Sequence, residues 1–208
     1  MRLRYWIKEA LKLTGILIIA SFAYTLLMMI MGLDAADTWR RYLNMGAMWL
    51  GMFGAFMSIV LGASIYQVFV PLAISFGSTR KEVFWGLQCY RFVVTFFVLL
   101  VAGILCAVAK EISVWIALPF GICAFLVFHG MGAIMGGLSS RLGKTALVIM
   151  ALVGMLLFIG MIGLILLGHN WFAMHKNVFA LLMPGIGVLV YALCMIYEVK
   201  TIRKFSVK

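Results

Sequence analysis

Long apolar stretches separated by short polar segments are the dominant pattern of this chain of 208 residues. A helix needs about 20 apolar residues to cross the hydrocarbon core of a bilayer. Six stretches are close to this length or exceed it. We therefore predict an all-α membrane protein with six transmembrane helices. The predicted spans cover approximately residues 13–33, 44–70, 92–109, 112–138, 145–167 and 178–197.

The segment before the first span, residues 1–12, is predicted to form an N-terminal amphipathic helix at the membrane interface. Arg4, Lys8 and Lys12 repeat every four residues, so on a helix they form one basic stripe. Tyr5 and Trp6 are residue types that favour the boundary between water and lipid. A basic stripe opposite an apolar face is typical of a helix that binds an anionic leaflet.

The second apolar stretch is longer than a single span. It continues without a charged residue from Asn44 to Phe76, and Pro71 is its only proline. A straight helix of this length would measure on the order of 50 Å, which exceeds the thickness of a bilayer. We expect this helix either to project into the cytoplasm or to bend at Pro71.

A helix stop and a helix start lie together in the polar stretch Ser75–Gln88, which follows the second span. Gly77 can adopt the left-handed backbone conformation that often ends a helix. Thr79 and Glu82 have the spacing of a capping box, in which each side chain accepts a hydrogen bond from the backbone N–H of the other residue. A new helix is therefore predicted from Val83 onwards.

This new helix is predicted to lie at the membrane surface. Val83, Phe84, Leu87 and Tyr90 fall on one broad apolar face. Three consecutive charged residues precede it and are expected to face water: Arg80, Lys81 and Glu82. The alternative interpretation is an ordinary basic cytoplasmic loop without a specific partner.

Composition and charge indicate that most of the chain uses lipid as its solvent. Hydrophobic residues make up 66% of the chain and charged residues only 11%, about half the charged fraction of a soluble domain. The net charge of +11 is not interpreted as nucleic-acid binding, because basic residues commonly mark the cytoplasmic side of membrane proteins. Segments on one predicted side hold 13 Lys and Arg residues and those on the other hold 4. We therefore predict that both termini are cytoplasmic.

The sequence lacks the Walker-type phosphate loop and the His-Glu-x-x-His and Gly-x-Ser-x-Gly motifs. We therefore expect no enzyme activity, no ATP site, no metal and no cofactor on this chain. No Asp, Glu, Lys or Arg lies inside a predicted span, which disfavours a proton- or sodium-coupled carrier. His129 is the most polar residue within a span. We expect it to form a hydrogen bond to a neighbouring helix, and a contact with a proton or substrate is the alternative.

Two glycines, Gly132 and Gly136, form a small-xxx-small pair near the end of the fourth predicted span. Such a pair lets two helix backbones approach closely. We expect these glycines to pack within one bundle of six helices. The alternatives are a dimer interface and a position on a transport pathway.

Taken together, these features resemble the small ABC-2-type permeases of Gram-positive bacteria. The resemblance rests on the six-span layout and on Ser-Phe-Gly-Ser-Thr-Arg-Lys-Glu at residues 75–82, after a long second span. In that family this stretch begins a cytoplasmic connection that forms a coupling helix and docks on a separate ATP-binding subunit. The resemblance therefore implies a coupling region over residues 75–91. The residues that it assigns to coupling are Phe76, Gly77, Thr79, Arg80, Lys81, Glu82, Val83, Phe84, Trp85 and Leu87.

The resemblance implies the transmembrane subunit of an ATP-driven exporter in the bacterial cell membrane. Two copies of an ATP-binding subunit would hold ATP and Mg²⁺, and a second permease copy or a related chain would complete the pathway. The implied cargo is an amphipathic or antimicrobial peptide, or another membrane-active compound. Two other classes stay open. One is a non-transporting immunity or sensor protein that binds a peptide, and the other is an intramembrane enzyme, which the missing nucleophile and acid–base pairs disfavour.

Overall fold

The computed structural model describes residues 3–31, 39–110, 114–142 and 176–203, together with seven single positions between 145 and 160. These residues form helices and no strand, which confirms the all-α prediction. Five of the helices are long and apolar enough to cross a membrane. The helices are α1 (Leu3–Ile30), α2 (Trp39–Ser64), α3 (Val70–Ser75), α4 (Arg80–Ala109), α5 (Val114–Leu142) and α6 (Lys176–Arg203). Most of the fifth predicted span, residues 145–167, lies outside the described residues.

The N-terminal segment belongs to the first long helix instead of forming a separate surface helix. Helix α1 runs without a break from Leu3 to Ile30, so the expected boundary between residues 12 and 13 is absent. Trp6 and Ala10 are buried, and the Trp6 indole packs against Gly86 and Tyr90 of α4. A Cβ atom at Gly86 would overlap the indole ring. Burial of this large aromatic side chain holds the segment against the bundle.

The second apolar run changes its helical geometry before the proline. Helix α2 ends at Ser64, and five residues of π-helix, Ile65–Phe69, connect it to α3. Pro71 stands in the first turn of α3, a position at which proline is tolerated. A π-helical turn is rare, and it occurs frequently at functional sites.

The predicted stop and start between the second and third apolar runs are both present. Gly77 has a φ of +81°, and its N–H donates to the carbonyl oxygen of Ile74 at 3.0 Å. The Thr79 hydroxyl accepts from the Glu82 N–H at 3.2 Å, and the Glu82 carboxylate accepts from the Thr79 N–H at 2.8 Å. The capping-box prediction is therefore confirmed, and it places the first residue of α4 at Arg80.

Helix α4 then continues without a break to Ala109, so the predicted surface helix and third span are parts of one helix. Four residues of α4 form one continuous buried stripe: Val83, Leu87, Tyr90 and Val94. Because the stripe keeps its helical spacing through residues 91 and 92, nothing in the local sequence ends the helix there. The helix therefore has no break between the predicted coupling region and the predicted third span.

Helices α5 and α6 run parallel to each other along a seam of small residues. Their close contacts pair Cys123 with Gly187, Gly130 with Cys194, and Gly137 with Thr201, always 64 positions apart. These pairs recur every seven residues, which is the repeat of two helices that stay in contact along their length. Helix α5 also runs parallel to α2, because Phe125 lies against Gly54, and Gly132 lies against Gly62.

The contacts between helices define two ends of the bundle. Trp6 of α1 lies against Gly86 near the start of α4, and the Arg80 side chain donates to the carbonyl oxygen of Arg203 at 2.9 Å. The start of α1, the start of α4 and the C-terminal end of α6 therefore share one end, which we call the terminal end. Trp39 at the start of α2 and Lys110 after α4 lie at the opposite end, which we call the far end.

The glycine pair on α5 gives a direct test of this packing. A Cβ atom at Gly132 would lie 2.5 Å from the Ser58 carbonyl oxygen, which is a backbone atom and moves little. Gly132→Ala should therefore cost about 1–3 kcal/mol through overpacking and lower the melting temperature in detergent. Gly51→Ala is the matched control, because it is also helical and has no atom within 4 Å of the new methyl group. Equal melting temperatures for the two variants would contradict the close contact.

Candidate functional site

A buried ion pair between Arg91 of α4 and Glu198 of α6 is the most polar contact inside the described bundle. The two guanidinium Nη atoms donate to the two carboxylate oxygens at 2.6 and 2.8 Å, in a bidentate arrangement. Glu198 is 0% exposed and Arg91 is 3% exposed. Each residue lies one position outside a predicted span, so the sequence analysis placed both at a cytoplasmic boundary.

The Glu198 carboxylate is fully hydrogen-bonded by side chains from two elements, the π-helical turn and α4. Its Oε1 atom also accepts from the Tyr66 hydroxyl at 2.5 Å, and its Oε2 atom also accepts from Gln88 Nε2 at 2.9 Å. The side-chain amide oxygen of Gln88, Oε1, accepts in turn from the Tyr191 hydroxyl. We call these five residues the Glu198 network: Tyr66, Gln88, Arg91, Tyr191 and Glu198. They join the π-helical turn, α4 and α6.

Local structure accounts for the convergence of these side chains. Gln88 and Arg91 lie three positions apart on α4, so they share one face of that helix. Tyr66 belongs to the π-helical turn, and its ring lies against Gly136 of α5, where any side chain on the glycine would overlap the ring. The absence of a side chain at Gly136 therefore makes room for the tyrosine that reaches Glu198.

The energetic consequence of the network follows from its burial. Removing two charges from water is costly, and their attraction compensates only when geometry and additional hydrogen bonds are favourable. Both conditions are met here, because the pair is bidentate and the remaining carboxylate lone pairs accept from Tyr66 and Gln88. Loss of one partner would leave an isolated charge in an apolar interior. The network therefore fixes α4 against α6.

A cleft of about 290 Å³ lies beside the network, between α4, α5 and α6. Its polar side contains members of the Glu198 network together with Thr95 and His129, and its other side is apolar. The lining residues are Gln88, Arg91, Phe92, Thr95, Leu126, His129, Tyr191 and Met195. A much smaller cavity of about 10 Å³ also borders Arg91 and His129, next to Ser58 and Tyr90. Its volume is close to that needed for one water molecule.

His129 lies on the wall of both cavities and bonds to a neighbouring helix. Its Nε2 atom is 2.9 Å from the Thr95 hydroxyl of α4, and its ring lies beside Phe125 with 6.0 Å between centroids. It is 5% exposed. The arrangement is a hydrogen bond between helices, and the imidazole also borders the cleft, so both interpretations of His129 stay compatible with its position.

The ten residues that the sequence analysis assigned to coupling divide into exposed and buried groups at the terminal end. Val83 and Leu87 are buried, and Phe84 is half-buried against the core, so these three hold α4 in the bundle. Phe76 is 74% exposed and Trp85 is 59% exposed. The other five are exposed as well: Gly77, Thr79, Arg80, Lys81 and Glu82. The apolar surface available to a partner is therefore offered by Phe76 and Trp85.

Metal binding has no support among the described residues, where no group of three or more His, Cys, Asp or Glu side chains lies close enough to hold an ion. All four cysteines are free, and Cys106 and Cys194 are buried. Gly132 and Gly136 lie in the contact between α5 and α2, against Ser58, Gly62 and Tyr66.

No protein-family model, no curated protein and no solved structure matches the chain.

The sequence analysis missed the Glu198 network, although the sequence carries a weak signal for it. Glu198 is the only acidic residue after Glu111, and it stands next to a strongly apolar stretch within an otherwise basic C-terminal region. A single carboxylate at such a position requires a cationic partner if it is buried. Arg91, at the border of the third apolar stretch, is a residue of the right charge at a comparable depth.

The ion pair is tested by a double-mutant cycle measured by thermal unfolding in detergent. Arg91→Met leaves the Glu198 charge uncompensated, and we expect it to cost about 3–5 kcal/mol of the free energy of unfolding. Arg91→Met combined with Glu198→Met should cost less than the sum of the single changes, because no charge is left unpaired. Additive costs would contradict the buried contact.

The surface pair of Lys12 and Glu9 provides the control for this cycle. Its atoms are also close, at 2.8 Å, but the two side chains are 58% and 32% exposed. Lys12→Met should therefore change the melting temperature little, because water solvates both charges after the contact is lost.

Proposed function

We propose that this chain is the transmembrane subunit of an ATP-driven exporter of the ABC-2 type, coupled to a separate ATP-binding subunit. The observation that carries the proposal is the surface formed by residues 76–85 at the terminal end. There, the large apolar side chains of Phe76 and Trp85 are exposed beside three charged residues. Exposed aromatic residues with a charged rim are typical of protein–protein contact sites.

The continuity of α4 supports a mechanical role for this surface. Trp85 lies within the first two turns of a helix that continues to Ala109 at the far end. Six residues after Trp85, Arg91 binds Glu198 and so connects the same helix to α6. A displacement imposed at the terminal end would therefore act on both helices. In the proposed mechanism, the ATP-binding subunit holds ATP and Mg²⁺, and its closure displaces the start of α4.

The directions of the helices support a sixth span and two termini on the same side. Helices α5 and α6 are parallel, so the chain has to return from the terminal end to the far end between residues 142 and 176. This return agrees with a span over residues 145–167. The start of α1 and the end of α6 share the terminal end, and the excess of Lys and Arg favours a cytoplasmic location for it. We propose the bacterial cell membrane as the location.

The proposed partners are two ATP-binding subunits and a second copy of this chain or a related permease. The proposed cargo is an amphipathic peptide or another membrane-active compound, which would pass along the helices in contact with apolar side chains. The alternative, an immunity or sensor protein that binds a peptide without transporting it, predicts peptide binding with no stimulation of ATP hydrolysis by the partner.

The contact with the ATP-binding subunit is tested by Trp85→Asp and Phe76→Asp. Each change places a charge in the proposed apolar contact, and we expect loss of co-purification of the ATP-binding subunit and of cargo-stimulated ATP hydrolysis. Trp39→Asp is the matched control, because Trp39 is also 59% exposed but lies at the far end. Thermal stability should stay near that of the unchanged protein for all three. If the Trp85→Asp and Phe76→Asp variants retained full co-purification of the ATP-binding subunit and full cargo-stimulated ATP hydrolysis, the proposed docking surface would be rejected.

Phe84→Asp is a less selective test than these two changes. The Phe84 side chain packs against the buried core of α1 and α4, so a charge there should lower the melting temperature as well as impair coupling.

The orientation is tested by single cysteines in a background without the four native ones. Lys81→Cys and Lys200→Cys lie at exposed positions of the terminal end, and Lys110→Cys lies at the exposed far end. In intact cells, we expect an impermeant maleimide to label only the cysteine at position 110, because the far end faces outward in this proposal. Labelling at position 81 or 200 without cell disruption would show that the terminal end faces outward, which contradicts the proposed orientation.

A further inference from the structure

We infer that the cleft between α4, α5 and α6 binds one amphiphilic molecule whose polar part carries acceptor oxygens, such as the carbonyl group of an amide or an ester. This inference concerns binding by the chain alone and does not depend on coupling to an ATP-binding subunit. The volume of about 290 Å³ is at the lower end of the range of small-molecule sites. It therefore suits one short chain or one segment of a larger molecule.

The polar side of the cleft has more hydrogen-bond donors than the protein uses. A guanidinium group carries five N–H donors. The Glu198 carboxylate accepts two of those on Arg91, so three remain for the adjoining Tyr191 hydroxyl and for a bound molecule. Gln88 also has two amide N–H donors, of which Glu198 accepts one. A molecule with acceptor oxygens complements this surplus.

The charge of the cleft excludes one class of polar group. Arg91 lines the cleft whereas Glu198, which neutralises it, does not, so the wall offers donors and no carboxylate acceptor. An ammonium group would bring further donors, and the Glu198 oxygens that could accept them are already occupied by Arg91, Tyr66 and Gln88. A cationic headgroup should therefore bind poorly, whereas an uncharged carbonyl group should bind well.

The opposite side of the cleft explains why the molecule should also have an apolar part. Phe92, Leu126 and Met195 line it, and Phe92 is 70% exposed on the surface of α4. The Met195 side chain is unbranched and adapts to different shapes of an apolar ligand. The cleft thus places a donor-rich surface and an apolar surface within one small volume.

The experiment measures binding to the full-length protein in a non-ionic detergent by native mass spectrometry. The probes share one dodecyl-length chain and differ in their polar group: dodecanamide, methyl dodecanoate and dodecylammonium. We expect one bound molecule per chain for the amide and the ester, and binding at least about tenfold weaker for the ammonium probe. Tighter binding of the amide would indicate a peptide-like ligand, and tighter binding of the ester would indicate a lipid.

Two adjacent residues of α6 provide the variant and its control. Met195→Trp fills the cleft, whereas Ile196→Trp adds the same side chain at a position that is 56% exposed outside it. We expect binding of dodecanamide to fall by at least about tenfold in the first and to change less than about twofold in the second. Leu126→Trp fills the cleft from α5, so the test does not depend on correct folding of a single variant.

Three results would overturn the inference. They are the absence of binding by both carbonyl probes, equal binding of the ammonium probe, and unchanged binding by the cleft-filling variants that retain the helical content and melting behaviour of the unchanged protein.

Discussion

A pair of opposite charges withdrawn from water is the constraint on which this bundle depends. Arg91 and Glu198 are stable in the interior only while they bind each other and while Tyr66 and Gln88 complete the hydrogen bonds of the carboxylate. Apolar contacts between helices are not directional and tolerate sliding. A bidentate charge pair tolerates very little, because a small displacement exposes both ions to an apolar environment. The pair therefore restricts how far α4 can slide along α6.

The same network gives the cleft its chemical character. Without Arg91, Gln88 and Tyr191, the space beside α4 would be lined mainly by apolar side chains. The need to satisfy one buried carboxylate brings several donors to a single place, and the donors exceed what the carboxylate accepts. A stabilising contact and a binding surface thus share residues. This sharing also connects the exposed residues near the start of α4 to the cleft, since both lie on the same continuous helix.

The helical class and the stop-and-start at residues 77–82 were predictable because both depend on local sequence. Left-handed glycine and the capping box need only residues that are close along the chain. No helix boundary lies after residue 12 or residue 91, because the change in side-chain polarity there does not interrupt the helical hydrogen bonds of α1 and α4. The positions of the spans relative to the lipid stay predictions. Polarity indicates where the lipid ends, and it does not indicate where a helix ends.

The site was harder to predict for a different reason. Arg91 and Glu198 are 107 positions apart in the chain, and Tyr66 and Glu198 are 132 apart. Nothing in a single sequence specifies which distant residues meet. Arg91 and Glu198 each lie one position outside a predicted span. An exposed charge at the membrane surface was therefore the simpler interpretation of both residues. Only the packing of α6 beside α4 reveals that the two charges compensate each other.

The parallel seam between α5 and α6 has a consequence for how the protein is assembled. Two antiparallel helices can be joined by a short turn, whereas two parallel helices need a longer connection. Here, the residues of the seam are 64 positions apart in the chain. Glu198 belongs to the same late helix, so Arg91 is synthesised long before its counter-charge. Arg91 can therefore bind its counter-charge only after α6 has been synthesised.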